Sequence, residues 1–165
     1  MVESAAATRM NYAQILSGLF VGSHPRAIGD VERLRRESAI TVVLNLQTDE
    51  DMRSVNLNWQ PLETHYLASG INLLRLPMKE EQIELREKLP ECVRTLSALI
   101  AGGRTVYLHC TEGIGRSPTV AIGYLHWSLG WEFDAAVTQV KQARQCSPHL
   151  EALRLALWNP TEPHQ

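Results

Sequence analysis

The sequence predicts an α/β fold, a three-layer sandwich in which a mostly parallel central sheet is flanked by helices. Three observations carry this expectation. Apolar runs at residues 41–46, 71–76 and 105–109 are of strand length, and the first is β-branched and apolar, as expected of a strand covered on both faces. Segments with apolar residues at helical spacing lie between and after them, so strands and helices alternate along the chain. At 165 residues the chain holds enough core for one domain without staples. That domain is expected over residues 12–158, between a flexible N-terminus (1–11) and a flexible tail (159–165).

Ile15-Leu16, a Ser17-Gly18 turn and residues 19–22 read as two short strands. Asp30, followed by Val31 and Leu34 among Glu32, Arg33, Arg35, Arg36 and Glu37, gives a short amphipathic helix with Asp30 near its cap. The strand at 41–46 is followed by a polar, irregular segment (47–59) and by a helix over 61–68 closed by Gly70. The strand at 71–76 ends at Pro77. Leu85, Leu89, Val93, Leu96 and Ile100 then mark a helix, with Pro90 expected in its first turn and Gly102-Gly103 ending it. After the strand at 105–109, Val120, Tyr124 and Trp127 mark one helix stopped by Gly130. Phe133, Val137 and Val140 mark a second, and Leu150, Leu153 and Leu157 a third.

Composition narrows the function classes. The net charge of -2, from 16 basic and 18 acidic residues, is not that of a polycation seeking nucleic acid, so anion binding must be local. The three cysteines, Cys92, Cys110 and Cys146, are widely spaced and make neither a disulfide framework nor a zinc knuckle. The histidines His24, His65, His126, His149 and His164 lack metal-ligand spacing, so no metal and no cofactor are expected. No apolar run approaches a membrane span and no signal core opens the chain. A soluble, monomeric, intracellular and cytoplasmic protein without membrane or nucleic-acid partners is the expectation, with a plastid location open if an upstream transit peptide has been removed.

The chemistry concentrates in TVYLHCTEGIGRS, residues 105–117. A buried strand delivers Cys110 to the carboxyl edge of the sheet, where ligands bind in such folds. Thr111, Glu112, Gly113, Ile114 and Gly115 form a tight loop whose amides can curl around an anion, and the glycines permit the positive φ such a curl needs. Arg116 opens the next helix with a planar fork suited to two phosphoryl oxygens, and the helix N-terminus and this cation favour thiolate over thiol. The pattern suits a cysteine that attacks phosphorus and forms a phosphocysteine, which water then hydrolyses. Ser117 is placed to hydrogen-bond the sulfur and help it leave. His109 is expected to bond backbone and tune the loop. A lone cysteine is usually a small buried hydrophobe; His-Cys-x5-Arg between a strand and a helix is not explained that way.

A departing alkoxide needs a proton. Glu80, Glu81 and Glu84, and on an earlier loop Asp49, Glu50 and Asp51, are the acidic candidates; Glu80 is favoured because it follows the 71–76 strand on the same sheet edge as Cys110. Cys92 and Cys146 read as core or helix-end residues, the remaining histidines as structural or surface groups, and Trp59, Trp127, Trp131 and Trp158 chiefly as packing.

The stretch HCTEGIGRSP resembles the signature of cysteine-dependent protein tyrosine and dual-specificity phosphatases. LFVGSHP, VVLNLQTDEDM, RLPMKEEQIELREKLPECV and HCTEGIGRSPTVAIGYLHW are similar, in order over most of residues 12–155, to plant glucan phosphatases and their laforin-like relatives. The resemblance implies a compact phosphatase domain without metal, acting on a phosphorylated glucan or a phosphoprotein. Cys110 is then the nucleophile, Arg116 the phosphate clamp, Ser117 the aid to thiolate release and Glu80 the acid, where relatives have aspartate. Glu112 and Glu81 also depart from the glucan-phosphatase pattern, which has alanine and an aromatic there. The rival expectation from another class is a catalytically weak scaffold that binds phosphoglucan or a partner. Sulfur transfer or arsenate reduction fits less well, since Cys110 lies late in the chain without a C-x-x-C relay.

Overall fold

A computed structural model describes residues 9–161; the outer parts of both expected flexible termini, 1–8 and 162–165, lie outside the described residues. The elements in chain order are β1 (Tyr12–Leu16), β2 (Leu19–Gly22), α1 (Ile28–Ser38), β3 (Val42–Asn45), α2 (Asp49–Ser54), α3 (Trp59–Ser69), β4 (Asn72–Arg75), α4 (Gln82–Ala101), β5 (Val106–His109), α5 (Arg116–Gly123) with a π-helical extension (Tyr124–Ser128), α6 (Phe133–Ala143) and α7 (Leu150–Leu155).

The strands form one sheet in the order β1-β2-β5-β3-β4. The β1–β2 hairpin is antiparallel; β2–β5, β5–β3 and β3–β4 are parallel. The fully buried sequence VYLH of β5 fits the centre of the sheet, where both faces must be apolar. Alternation divides the core. Val42, Leu44, Val106 and Leu108 meet Leu89, Val93 and Leu96 of α4 and Val120 and Ile122 of α5 on one face. Val43 and Tyr107 meet Val31 and Leu34 of α1 and Leu62 and Tyr66 of α3 on the other. The predicted three layers result.

Register fixes the working edge. Gly22 pairs with His109, His109 with Asn45, and Asn45 with Arg75, so four strands finish in one row. Cys110 is the first residue beyond that row.

Three local expectations are corrected. Residues 47–59 are not irregular: they contain α2, whose Thr48 hydroxyl accepts from Asp51 N–H while Asp51 accepts from Thr48 N–H, a reciprocal capping box. Five charged and polar residues around one buried methionine, Met52, make an element too short and too polar for periodicity to register. Pro90 is not in a first turn, because α4 begins at Gln82 and runs through the proline at its buried face. Tertiary packing of that face outweighs the missing hydrogen bond. Finally, Leu157 lies beyond α7 and is 87% exposed. Among the described residues no helix is long and apolar enough to cross a membrane.

Candidate active site

The loop from Cys110 to Arg116 is shaped by what holds its carbonyls. His109 Nδ1 donates to Cys110 O at 2.8 Å. Thr111 O accepts from His24 N–H at 2.9 Å and lies 2.8 Å from His24 Nδ1. Arg144 donates from Nε to Gly113 O at 2.8 Å and from one terminal nitrogen to Glu112 O at 3.3 Å. Ser147 N–H donates to Ile114 O at 2.8 Å, and Gly115 O accepts the Thr119 hydroxyl at 2.7 Å. Every carbonyl from 110 to 115 is thus engaged, while no N–H of residues 111–115 has a hydrogen-bond partner among the described residues. Such a row of free amides is a cradle for an anion. Gly113 makes the curl possible: its φ is +72°, and a Cβ there would run into the Gly22 carbonyl.

Cys110, 3% exposed, lies at the base of this loop with Sγ 3.3 Å from Ser117 Oγ. Arg116 is 4% exposed and is held along one side. Its first terminal nitrogen donates to Asp51 Oδ2 at 2.6 Å and to Met78 O at 2.8 Å. The second donates to Thr111 Oγ1 at 3.4 Å, and the buried Nε has no partner among the described residues. One edge of the guanidinium is therefore anchored, and the edge formed by Nε and the second nitrogen is open for a bidentate oxyanion. Burial works against the charge on Arg116, but the hydrogen-bonded Asp51 carboxylate beside it outweighs burial and keeps the guanidinium firmly protonated. Asp51 shows the converse balance: burial is opposed by Arg116 and Thr48, which together hold its carboxyl below the ordinary value. A carboxylate so held is a poor proton donor, which removes Asp51 from the acid candidates.

Burial pushes His109 down to about 3, against the help of its backbone bond. It is a neutral imidazole and donates to Cys110 O, which is loop support. Glu80 lies between β4 and α4, half exposed, with Oε1 2.8 Å from His149 Nε2. A Cβ on Gly115 would strike both groups, so the Glu80 carboxylate sits over the phosphate loop. Glu84, by contrast, accepts from Lys79 N–H and pairs with Lys88 at 3.5 Å, holding the segment that carries Glu80. Glu112 and Ile114 point outward and line, with Tyr12 and Cys146, a separate hollow behind the loop.

The structure brings together Cys110, Thr111, Gly113, Gly115, Arg116, Ser117, His109 and Glu80. It also supplies groups that sequence reasoning did not single out: Arg144, Thr119, His149, His24 and Asp51 in its anchoring role. Thr119 alone had a local signal, since a threonine four residues after Gly115 is placed to bond back to that carbonyl. Burial pushes the Cys92 thiol up to about 12, consistent with a core cysteine. Among the described residues no group of three or more His, Cys, Asp or Glu is placed to hold a metal ion.

Residues 19–155 match the family model of the dual specificity phosphatase catalytic domain. A chloroplastic phosphoglucan phosphatase of Arabidopsis thaliana, LSF1, is 32% identical over 151 residues, 91% of this chain and 25% of the relative. Mouse laforin is 35% identical over 133 residues, 74% of this chain and 40% of laforin. The chain thus spans between a quarter and two fifths of these relatives. Of solved structures, PTPMT1 superposes with a TM-score of 0.72 at 21% identity, covering 88% of this chain and 90% of that one, a likeness of fold.

Proposed function

The chain belongs to the family of dual specificity phosphatase catalytic domains, and from this premise we propose that it hydrolyses phosphate monoesters through a phosphocysteine on Cys110. The observation that carries the reading is the loop with its carbonyls tied back, its amides free and the open edge of Arg116 beside them. The phosphoryl oxygens take the amides and that edge, which stabilise charge as it shifts in the transition state. The Cys110 thiolate attacks in line; the S–P bond forms as the P–O bond to the leaving group breaks, and Glu80 gives its proton to the departing oxygen. Glu80, now ionised, takes a proton from water, which attacks phosphorus and releases the sulfur. Ser117, 3.3 Å away, donates to that sulfur as it leaves.

The substrate we propose is a phosphorylated glucan, with a phosphoprotein as the competing substrate. The relatives named as phosphoglucan phosphatase and laforin support the first; the departure of Glu112 from the glucan-phosphatase pattern supports the second. We further propose that the domain acts as a monomer in the cytoplasm or a plastid, without membrane or nucleic-acid partners. Purified protein should release phosphate from an aryl phosphate, and Cys110→Ser should abolish release while still binding inorganic phosphate; undiminished turnover by that variant would remove the mechanism. Release from phosphorylated amylopectin, measured beside release from phosphotyrosine and phosphothreonine peptides, decides the substrate. Tight phosphate binding with negligible release from all of them would instead identify a binding scaffold.

A further inference from the structure

We propose that His149 is the positioning residue for the acid, fixing Glu80 over the phosphate loop. The inference rests on the phosphocysteine reading with Glu80 as acid, and its observations are independent of the Cys110 and Arg116 geometry. Glu80 Oε1 meets His149 Nε2 at 2.8 Å, and the other oxygen, Oε2, has no hydrogen-bond partner among the described residues. Glu80 is about half exposed, and a glutamate has one more rotatable bond than the aspartate that serves elsewhere. Without a partner its carboxyl group would spread over several rotamers.

His149 is itself referenced to the loop. Its backbone N–H donates to Thr119 Oγ1 at 2.8 Å, and the Thr119 hydroxyl donates to Gly115 O at 2.7 Å. The ring then returns to Glu80. A closed path therefore runs from the phosphate loop through Thr119 and His149 to the acid, so the acid's place is set against the loop and not merely by its own segment. Gly115 supports the same conclusion. Its φ of -107° is open to any residue, so glycine is not needed there for backbone reasons. It is needed for room, because a Cβ would collide with Glu80 Oε1 and stand 2.9 Å from His149 Nε2. The loop has left a side chain out where the pair sits.

The imidazole N–H donates to Oε1, and the proton that reaches the leaving group is carried on Oε2. In the first step that proton passes to the departing alkoxide as P–O breaks; in the second the carboxylate regains one from the attacking water. His149 exchanges no proton in this sequence. It restricts where Oε2 points, and its effect appears only where the leaving group needs protonation.

Leaving-group dependence is the readout. Turnover of p-nitrophenyl phosphate, whose leaving group departs without help, is compared with that of a simple alkyl phosphate for Glu80→Gln, His149→Ala, His149→Gln and the double variant Glu80→Gln/His149→Ala. The expectation is that His149→Ala slows the alkyl ester at least tenfold more than the aryl ester in kcat. His149→Gln, which keeps a side-chain donor, should recover part of the loss, and the double variant should be no slower on the alkyl ester than Glu80→Gln alone. The backbone anchor to Thr119 survives both histidine substitutions, so the comparison is made on folded protein. Equal slowing of both esters by His149→Ala, or no slowing of either, overturns the positioning role while Glu80→Gln still reports the acid. Equal effects of Glu80→Gln on both esters overturn the acid assignment and this proposal with it.

Discussion

Two glycines two residues apart show how single positions divide the work of the loop. Gly113 needs positive φ and lies against the Gly22 backbone, so Gly113→Ala is expected to distort the anion cradle and depress turnover of every phosphate ester by about a hundredfold or more. Gly115→Ala meets no backbone obstacle and pushes instead on Glu80 and His149. It should slow alkyl phosphates selectively, and similar losses on aryl and alkyl esters would show that the side chain disturbs the cradle itself. Asp51 affords a third test at this scale. Its Oδ2 accepts from both Arg116 and Thr48 N–H, so Asp51→Asn can keep both contacts while removing a negative charge from the site. At the few-kcal/mol scale of charge interactions near a protein surface, inorganic phosphate should bind several-fold tighter to the variant, as titration calorimetry would read. Weaker binding would mean that Arg116 had lost its orientation. Cys110, Arg116 and Ser117 were legible because the chemistry is written in one stretch of eight residues. Asp51 was legible only as one carboxylate among several, since its partner lies 65 positions away.

Among the elements, the segment after α6 acts on the loop from outside. Arg144 caps that helix and places its guanidinium against Gly113 O, Glu112 O, Val21 O at 3.2 Å and Asn11 Oδ1 at 2.8 Å. One side chain thus joins the β1–β2 hairpin to the phosphate loop. Arg144→Ala removes donors from two loop carbonyls at once. We expect kcat/KM to fall by roughly a hundredfold on aryl and alkyl esters alike, the scale of an ångström-sized misplacement, with a fall in Tm. Full activity in that variant would show that the loop holds its shape without the clasp. Nothing in the sequence distinguished Arg144 from a cation placed at a helix end for its dipole. The strands and the long helices were legible because burial imposes a period on them; α2 was not, because its stability comes from a capping box and one buried methionine.

For the molecule as a whole, the sheet that delivers Cys110 also makes stability depend on acidity through the residue before it. His109 stands in the central strand, wholly enclosed, and its pKa falls to about 3 from an ordinary value of 6.5. The folded protein therefore binds fewer protons at this site than the unfolded chain wherever the pH lies below 6.5. Stability is fully present above that value, is lost progressively as the pH falls, and ceases to change at this site only below about 3. At pH 5 the loss is about 2 kcal/mol. His24, lowered chiefly by burial, adds in the same direction, whereas Asp51, also lowered, loses its contribution only as the pH passes below its ordinary value of 3.8. Acid weakening between pH 7 and 5 is thus a histidine effect centred on the strand end. Urea unfolding at pH 7 and pH 5 should show it in the native chain, and His109→Asn, which has no group titrating there, should show a smaller difference between the two pH values whatever its absolute stability. Equal differences in the two proteins would place the acid sensitivity elsewhere and mean that His109 gains its proton without unfolding the strand.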